Sequence, residues 1–346
     1  MKLDPTVIEL LGLDPESTTV SSAGGGGCSS ASTSKITSKL GDGNDKWYFM
    51  KTGQGCDAEI MLKGHSLQVH PHRLIIDTRL GEHASLNALH DIEPSLCPKS
   101  YGYGRFSYSD STFFLITDFL HLTSRSAAKS SAASLAVKLA KLHATPAPIP
   151  EGYDNPMFGF PVTTCCGDTP QNNEFKNSWA DFYANNRLRF ILQQAEKTNS
   201  VDKELHSLVE NTASKVVPRL LGNDHLNNGQ GITPVIVHGD LWSGNASVGT
   251  IGGKSGTPED VVYDPSACYA HSEYELGIMK MFGGFGASFM KEYHELCPKT
   301  EPVAEYEDRI KLYELYHHLN HFALFGGGYR SGAVSIMRSL VKKYAG

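Results

Sequence analysis

The chain has 346 residues, 40% hydrophobic and 20% charged, with 31 Lys and Arg against 37 Asp and Glu and a net charge of −6. This is globular composition, long enough to bury a sizeable core in one large domain or two modest lobes. It gives no basic footprint for a nucleic-acid partner. It also holds no uninterrupted apolar run near the roughly 18 residues of a membrane span.

The opening MKLDPTVIELLGLDPES lacks the basic start, apolar core and small-residue cleavage site of a signal peptide. It reads as a short helix with Asp4 as N-cap, Pro5 in the first turn and Gly12 as the stop. The seven cysteines, Cys28, Cys56, Cys97, Cys165, Cys166, Cys268 and Cys297, form no CxxC pair, so free thiols in a reducing, cytoplasmic setting are expected. Between Thr18 and Lys51 the chain is rich in Gly, Ser and Thr. Strands are predicted at Ser34–Leu40 and Lys46–Lys51, with Asp42-Gly43 as a hairpin signal. Leu80–His90 has helical spacing, and Thr112–Leu120 (TFFLITDFL) reads as a buried strand.

Longer helical patterns then take over. Ser131–His143 sets Leu135, Leu139 and Leu142 on one face and is ended by Pro146 and Pro148. Trp179–Lys197 and Val201–Val217 are two more, and helical patterns dominate again from Glu273. Two short apolar runs, Val235–Val237 and Val261–Tyr263, flank turn chemistry and are expected to pair as a hairpin. The predicted architecture is α+β in two lobes. Residues 1–118 are β-rich with one helix, and residues 119–346 are mostly helical.

The strongest chemical signal is His238-Gly239-Asp240-Leu241-Trp242-Ser243-Gly244-Asn245, followed nineteen positions after Asn245 by Asp264. A carboxylate on a tight loop can accept the proton of a substrate hydroxyl, and an amide oxygen five residues on can bind a metal. A second carboxylate from a neighbouring strand completes the metal site. Phosphoryl transfer needs this set because its catalysis is mostly positioning and charge neutralisation. Protein kinases carry HRD, Asn and a DFG aspartate in the same order. Asp240 is therefore assigned as base, and Asn245 and Asp264 as Mg²⁺ ligands.

Upstream, Gly24, Gly25, Gly26 and Gly27 with Cys28 and Ser29 form a loop whose amides can approach ATP phosphates. Lys51 ends the run Trp47-Tyr48-Phe49-Met50-Lys51 and is read as the phosphate-binding lysine, with Glu82 as its helical partner. By chain order alone, Asp118 and Phe119 are hinge positions that hold adenine through backbone groups. The long protein-kinase activation segment is missing, since Asp264 leads quickly into a helical pattern.

Several further stretches carry a resemblance. They are Phe158–Gly167 (FGFPVTTCCG), Trp179–Tyr183 (WADFY), Asn185–Leu188 (NNRL), Tyr269–Leu276 (YAHSEYEL), Met281–Phe285 (MFGGF) and Asn320–Phe322 (NHF). With HGDLWSGN they resemble the fructosamine (ketosamine) 3-kinases of the protein-kinase-like superfamily, from about Gly24 to the C-terminus. The resemblance implies a protein-kinase-like two-lobe fold and ATP-dependent phosphorylation of the 3-hydroxyl of free or protein-bound fructosamines or ribulosamines. The unstable phosphate then sheds the sugar, which amounts to deglycation. An amino-alcohol phosphotransferase acting on choline or an aminoglycoside is the alternative. Two departures stand out: Asp264-Pro265-Ser266 where the family has Asp-Pro-Ala, and Tyr269-Ala270-His271 where it has Tyr-Gly-His.

Trp242 is either a platform for the sugar or its amine, or packing for the loop. Glu273 is a candidate for the substrate amine, and Glu275 is expected to brace the catalytic loop. The family loop also carries a cysteine, so Cys28 is either a redox switch, for example through an intermolecular Cys28–Cys28 disulfide in a monomer–homodimer exchange, or an inert small residue. Cys165 and Cys166 are assigned to packing. The histidines show no zinc-ligand spacing, so no zinc site is predicted.

Overall fold

The computed structural model describes residues 2–23, 32–39, 43–54, 78–109, 112–124, 133–253 and 256–345. Helix α1 (Pro5–Leu11) starts where Asp4 accepts from the Thr6 N–H at 2.9 Å and stops at Gly12 in the left-handed region. The other Asp4 oxygen accepts from the Ser107 N–H and hydroxyl at 3.1 and 2.8 Å, which fastens the helix to the sheet behind it.

That sheet contains β1 (Thr18–Ser22), β2 (Ser32–Lys39), β3 (Asp45–Gln54), β4 (Ser100–Arg105) and β5 (Thr112–Asp118), in the antiparallel order β1-β2-β3-β5-β4. Period-2 alternation sorts its side chains. Ile36, Tyr48, Met50, Phe114 and Ile116 face α1 and bury Val7. Leu115 faces the other way, against helix α2 (Thr78–Ile92), whose Leu86 and Leu89 are buried. Lys51 pairs in register with Leu115 and so shares the α2 face.

After β5 the chain enters β6 (Leu120–Thr123), followed by α3 (Leu135–Ala144) with Ser134 as N-cap. A small hairpin of β7 (Cys165–Cys166) and β8 (Thr169–Pro170) comes next. One continuous helical rod then runs from α4 (Trp179–Asp181) through a π-helical stretch into α5 (Phe190–Asn199). It is followed by α6 (Lys203–Asn211) and α7 (Val217–Leu221). The remaining elements are β9 (Val235–Val237), β10 (Ala246–Ile251), β11 (Glu259–Val262), β12 (Cys268–Ala270), α8 (Glu275–Phe282), α9 (Ala287–Leu296), α10 (Tyr306–Phe325) and α11 (Tyr329–Tyr344).

Helix α10 is buried nearly all round, polar Asp308, Arg309, His317 and Asn320 included, and packs against α5, α8 and α11. Its Tyr313 hydroxyl accepts from the fully buried Trp179 Nε1 at 2.8 Å. Among the described residues, no helix is long and apolar enough to cross a membrane.

The expected hairpin of Val235–Val237 with Val261–Tyr263 does not form. Strand β9 pairs with β12, while β11 pairs with β10, which in turn pairs with β6. The missed partners are Ala246–Ile251 and Cys268–Ala270, short runs without a long apolar pattern. Asp42 and Leu40 lie outside the described residues.

Candidate active site

The loop after β9 is held open by three constraints. Gly239 sits at φ 81°, and a Cβ there would lie 2.1 Å from the Ser266 carbonyl, so only glycine fits. The buried Glu275 carboxylate accepts from the His238 and Gly239 N–H groups at 2.5 and 3.0 Å. His238 is buried, which lowers its pKa and keeps the ring neutral. Its Nδ1 accepts from the Asp240 N–H (3.3 Å), so Nε2 donates to the Tyr263 carbonyl (3.0 Å).

This bracing fixes the position of Asp240. Asn245 Nδ2 donates to the Asp240 carbonyl at 2.9 Å and to its Oδ2 at 3.3 Å. The other carboxylate oxygen, Oδ1, accepts from the Cys166 thiol at 3.7 Å. Burial raises the Asp240 pKa to about 8; the Cys166 hydrogen bond opposes this, and Asp264 and Glu275 add to it.

Asp264 adopts φ 55°, uncommon for a residue with a side chain and of the kind that gathers at functional sites. Its Oδ1 accepts from Lys51 Nζ at 3.0 Å, and Lys51 also bonds both Glu82 oxygens at 3.1 and 3.0 Å. Burial pushes the Asp264 pKa up, but Lys51 more than offsets it and holds the carboxylate below its ordinary range. Two carboxylates on one ammonium leave surplus negative charge beside Asn245. Ser266 N–H donates to the His238 carbonyl at 2.8 Å, which ties the Asp264 segment to the catalytic loop. Residues 31 and 213 positions from Lys51 in sequence thus meet at one ammonium group.

A family model described as fructosamine kinase matches residues 72–343. The chain belongs to the fructosamine kinase family. Ketosamine-3-kinase of Mus musculus is 41% identical over 186 residues, 54% of each chain. A chloroplastic protein-ribulosamine 3-kinase of Arabidopsis thaliana is 34% identical over 260 residues, 74% of this chain and 70% of that one. The match therefore spans about half the length of the mouse relative and more of the plant one. A candidate fructosamine-3-kinase structure from Haemophilus somnus superposes with TM-score 0.69 at 20% identity, covering 98% of this chain and 96% of that one. An aminoglycoside phosphotransferase in complex with ADP and hygromycin B gives TM-score 0.53 at 14% identity over the whole of both chains. These two likenesses establish a protein-kinase-like fold.

The other expected residues remain to be placed. Gly24, Gly25, Gly26, Gly27, Cys28 and Ser29 lie outside the described residues. Trp242 lies over Gly244, where an added Cβ would come 2.1 Å from the indole, and it meets Phe282 at 5.7 Å. The indole therefore packs the loop, and Gly284 of the MFGGF run abuts Ser243 on the same side.

The hinge expectation needs correction. Phe119 N–H donates to the Trp47 carbonyl (3.3 Å), and its own carbonyl accepts from Gly252 (2.9 Å). Asp118 N–H donates to the Lys99 carbonyl (2.9 Å), while its carboxylate accepts from the Tyr101 hydroxyl (2.7 Å). Sheet pairing thus consumes both backbone groups of Phe119 and the N–H of Asp118, while the Asp118 carbonyl accepts from the Thr117 hydroxyl at 3.0 Å. Strand β6 continues the pattern through His121 and Thr123, so alternation turns the backbone groups of Leu120 and Leu122 the other way.

Glu273 is also corrected. It is 2% exposed and takes Arg309 Nε and Nη2 at 2.7 and 3.0 Å together with the Thr300 N–H at 2.9 Å. A carboxylate so engaged has nothing left for a substrate amine. The same corner buries His271 between the Tyr313 hydroxyl (2.7 Å) and Thr300 Oγ1 (2.8 Å). Burial lowers the His271 pKa to about 4 from 6.5; Glu273 opposes the shift and Arg309 adds to it.

Stability from a neutral His271 is therefore full above pH 6.5 and lost as pH falls toward 4, a swing of about 3 kcal/mol. His271→Gln is expected to flatten the melting temperature across that window. An unchanged slope would assign the acid sensitivity elsewhere.

Cys166 was missed. It lies 74 residues from Asp240 in sequence, and only the β7–β8 hairpin brings the thiol to the carboxylate. No local signal marks such an approach.

Proposed function

We propose that this chain is an ATP-dependent kinase that phosphorylates the 3-hydroxyl of ketosamines, with residues 1–118 as nucleotide lobe and 119–346 as catalytic lobe. One observation carries the reading. Lys51, Glu82 and Asp264 form a linked ion triad directly beside the braced Asp240–Asn245 loop. Lys51 orients the triphosphate, and the backbone of Leu120 and Leu122 faces the adenine edge. Asn245 and Asp264 would hold a Mg²⁺, which when bound supplies charge neutralisation on the phosphates. They fit it: the Asn245 amide nitrogen is spent on Asp240, leaving an amide oxygen and an ionised carboxylate, both hard donors.

Asp240 accepts the proton of the sugar hydroxyl as its oxygen bonds to the γ-phosphorus and the bond to ADP breaks. Fructosyl-lysine and ribulosyl-lysine mimics, choline and an aminoglycoside, each with Mg-ATP, form the deciding panel for ADP release. Turnover confined to the two ketosamines is expected. Turnover only with choline or the aminoglycoside would keep the catalytic residues and overturn the acceptor.

A further inference from the structure

Around the catalytic Asp240 lies a donor set whose other two members, Cys166 and His317, phosphoryl transfer does not use. One ligand atom each from Cys166, Asp240 and His317 lie within 4.8 Å of one another, the one such His, Cys or carboxylate group among the described residues. They come from the β7–β8 hairpin, the catalytic loop and α10, which is why spacing in the sequence gave no zinc signal. We propose that Cys166, Asp240 and His317 form a site for a soft divalent cation, Zn²⁺ by its chemistry, that withdraws Asp240 from catalysis. The regulatory consequence rests on the reading of Asp240 as base.

Three features support it. His317 is 1% exposed, its Nδ1 has no hydrogen-bond partner, and one of its ring nitrogens is the atom that meets Cys166 and Asp240. Its ring is fixed rather than free, stacked on Tyr274 at 6.0 Å and edge-on to Tyr316 at 5.1 Å. The Cys166 backbone is equally fixed, because Asn320 Nδ2, one turn beyond His317, donates to its carbonyl at 3.1 Å.

The distances are within reach. Bond lengths of about 2.3 Å to sulfur and about 2.0–2.1 Å to nitrogen or oxygen put the edges of a zinc tetrahedron at about 3.4–3.6 Å. The Cys166–Asp240 edge is already 3.7 Å, and the edges to His317 are at most 4.8 Å, so the Cys166 and Asp240 side chains close the set by moving toward the fixed ring.

The donor types decide the metal. Thiolate and imidazole suit Zn²⁺, whereas Mg²⁺ keeps to oxygen and so to Asn245 and Asp264. Three protein ligands leave a fourth position for water or another ligand. Binding replaces the thiol proton by the metal–sulfur bond and releases that proton to solvent, so no oxidant or reductant is involved. The carboxylate that would take the hydroxyl proton is then committed to the metal. Zn²⁺ inhibition should therefore be separable from any competition for ATP.

The full-length protein titrated with Co²⁺, as a coloured stand-in, tests the site without turnover. Thiolate-to-cobalt absorption in the near ultraviolet is expected for wild type, lost in Cys166→Ser and weakened in His317→Gln and Asp240→Asn. In the kinase assay, Cys166→Ser should weaken Zn²⁺ inhibition, relative to its own zinc-free rate, by more than about 10-fold, the smaller cost of losing even an outer partner. No such absorption in wild type, or absorption unchanged in Cys166→Ser and Asp240→Asn, overturns the site. Should Cys166→Ser fail to fold, Asp240→Asn carries the optical test. Failure of the kinase reading would show separately, as no ADP release from any acceptor in zinc-free buffer.

Discussion

Asp240→Asn should lower kcat by about 10²–10⁴-fold, the usual worth of a positioned general base, and leave ATP affinity nearly unchanged. The split follows from the geometry. Nucleotide contacts are assigned to Lys51, Glu82 and Asp264, whose mutual bonds at 3.0–3.1 Å do not involve the Asp240 side chain. The loop also survives the change. Glu275 holds it through the backbone of His238 and Gly239, and Asn245 bonds the Asp240 carbonyl, which the substitution keeps. Single-turnover rates with a ketosamine, set beside equilibrium ATP binding, check the expectation. Equal loss of both in a folded variant would remove Asp240 from the role of base and make it a nucleotide contact.

What the sequence disclosed about this site divides by range. Residues placed by local chain geometry were legible. The five-residue step from Asp240 to Asn245 fixes two side chains on one loop, and period-2 alternation put Lys51 on the face opposite Met50. The pairing of Lys51 with Glu82 was legible too, because a strand and the next helix have few ways to pack. Illegible were contacts set by tertiary closure. The β9–β12 pairing and the Cys166–Asp240 approach join segments whose order says nothing about which of them will touch. Phe119 failed for a different reason. Chain order says nothing of which backbone is free there, because that depends on sheet register, and register is set by a partner, β10, that was not recognised as a strand.

Glu273 was misread because an acidic residue near a catalytic loop looks the same in sequence whether it faces a cleft or a buried arginine. The structure makes the opposite prediction to a substrate contact. Glu273→Ala should destabilise the protein by about 3–5 kcal/mol, since it strands the fully buried Arg309 guanidinium without its counter-charge. The remaining Arg309 bonds, to the carbonyls of Pro302 (2.9 Å) and Thr300 (2.5 Å), cannot neutralise it. Removing both charges with Glu273→Leu and Arg309→Met should recover much of the loss, because an apolar pair avoids the desolvation that the ions suffer. KM for the ketosamine should hold in every variant that folds. Denaturant unfolding of the single and double variants, with KM measured on each, decides between the two roles. A single variant of wild-type stability with a sharply raised KM would return Glu273 to the substrate, and would require Arg309 to be satisfied by its carbonyl contacts alone.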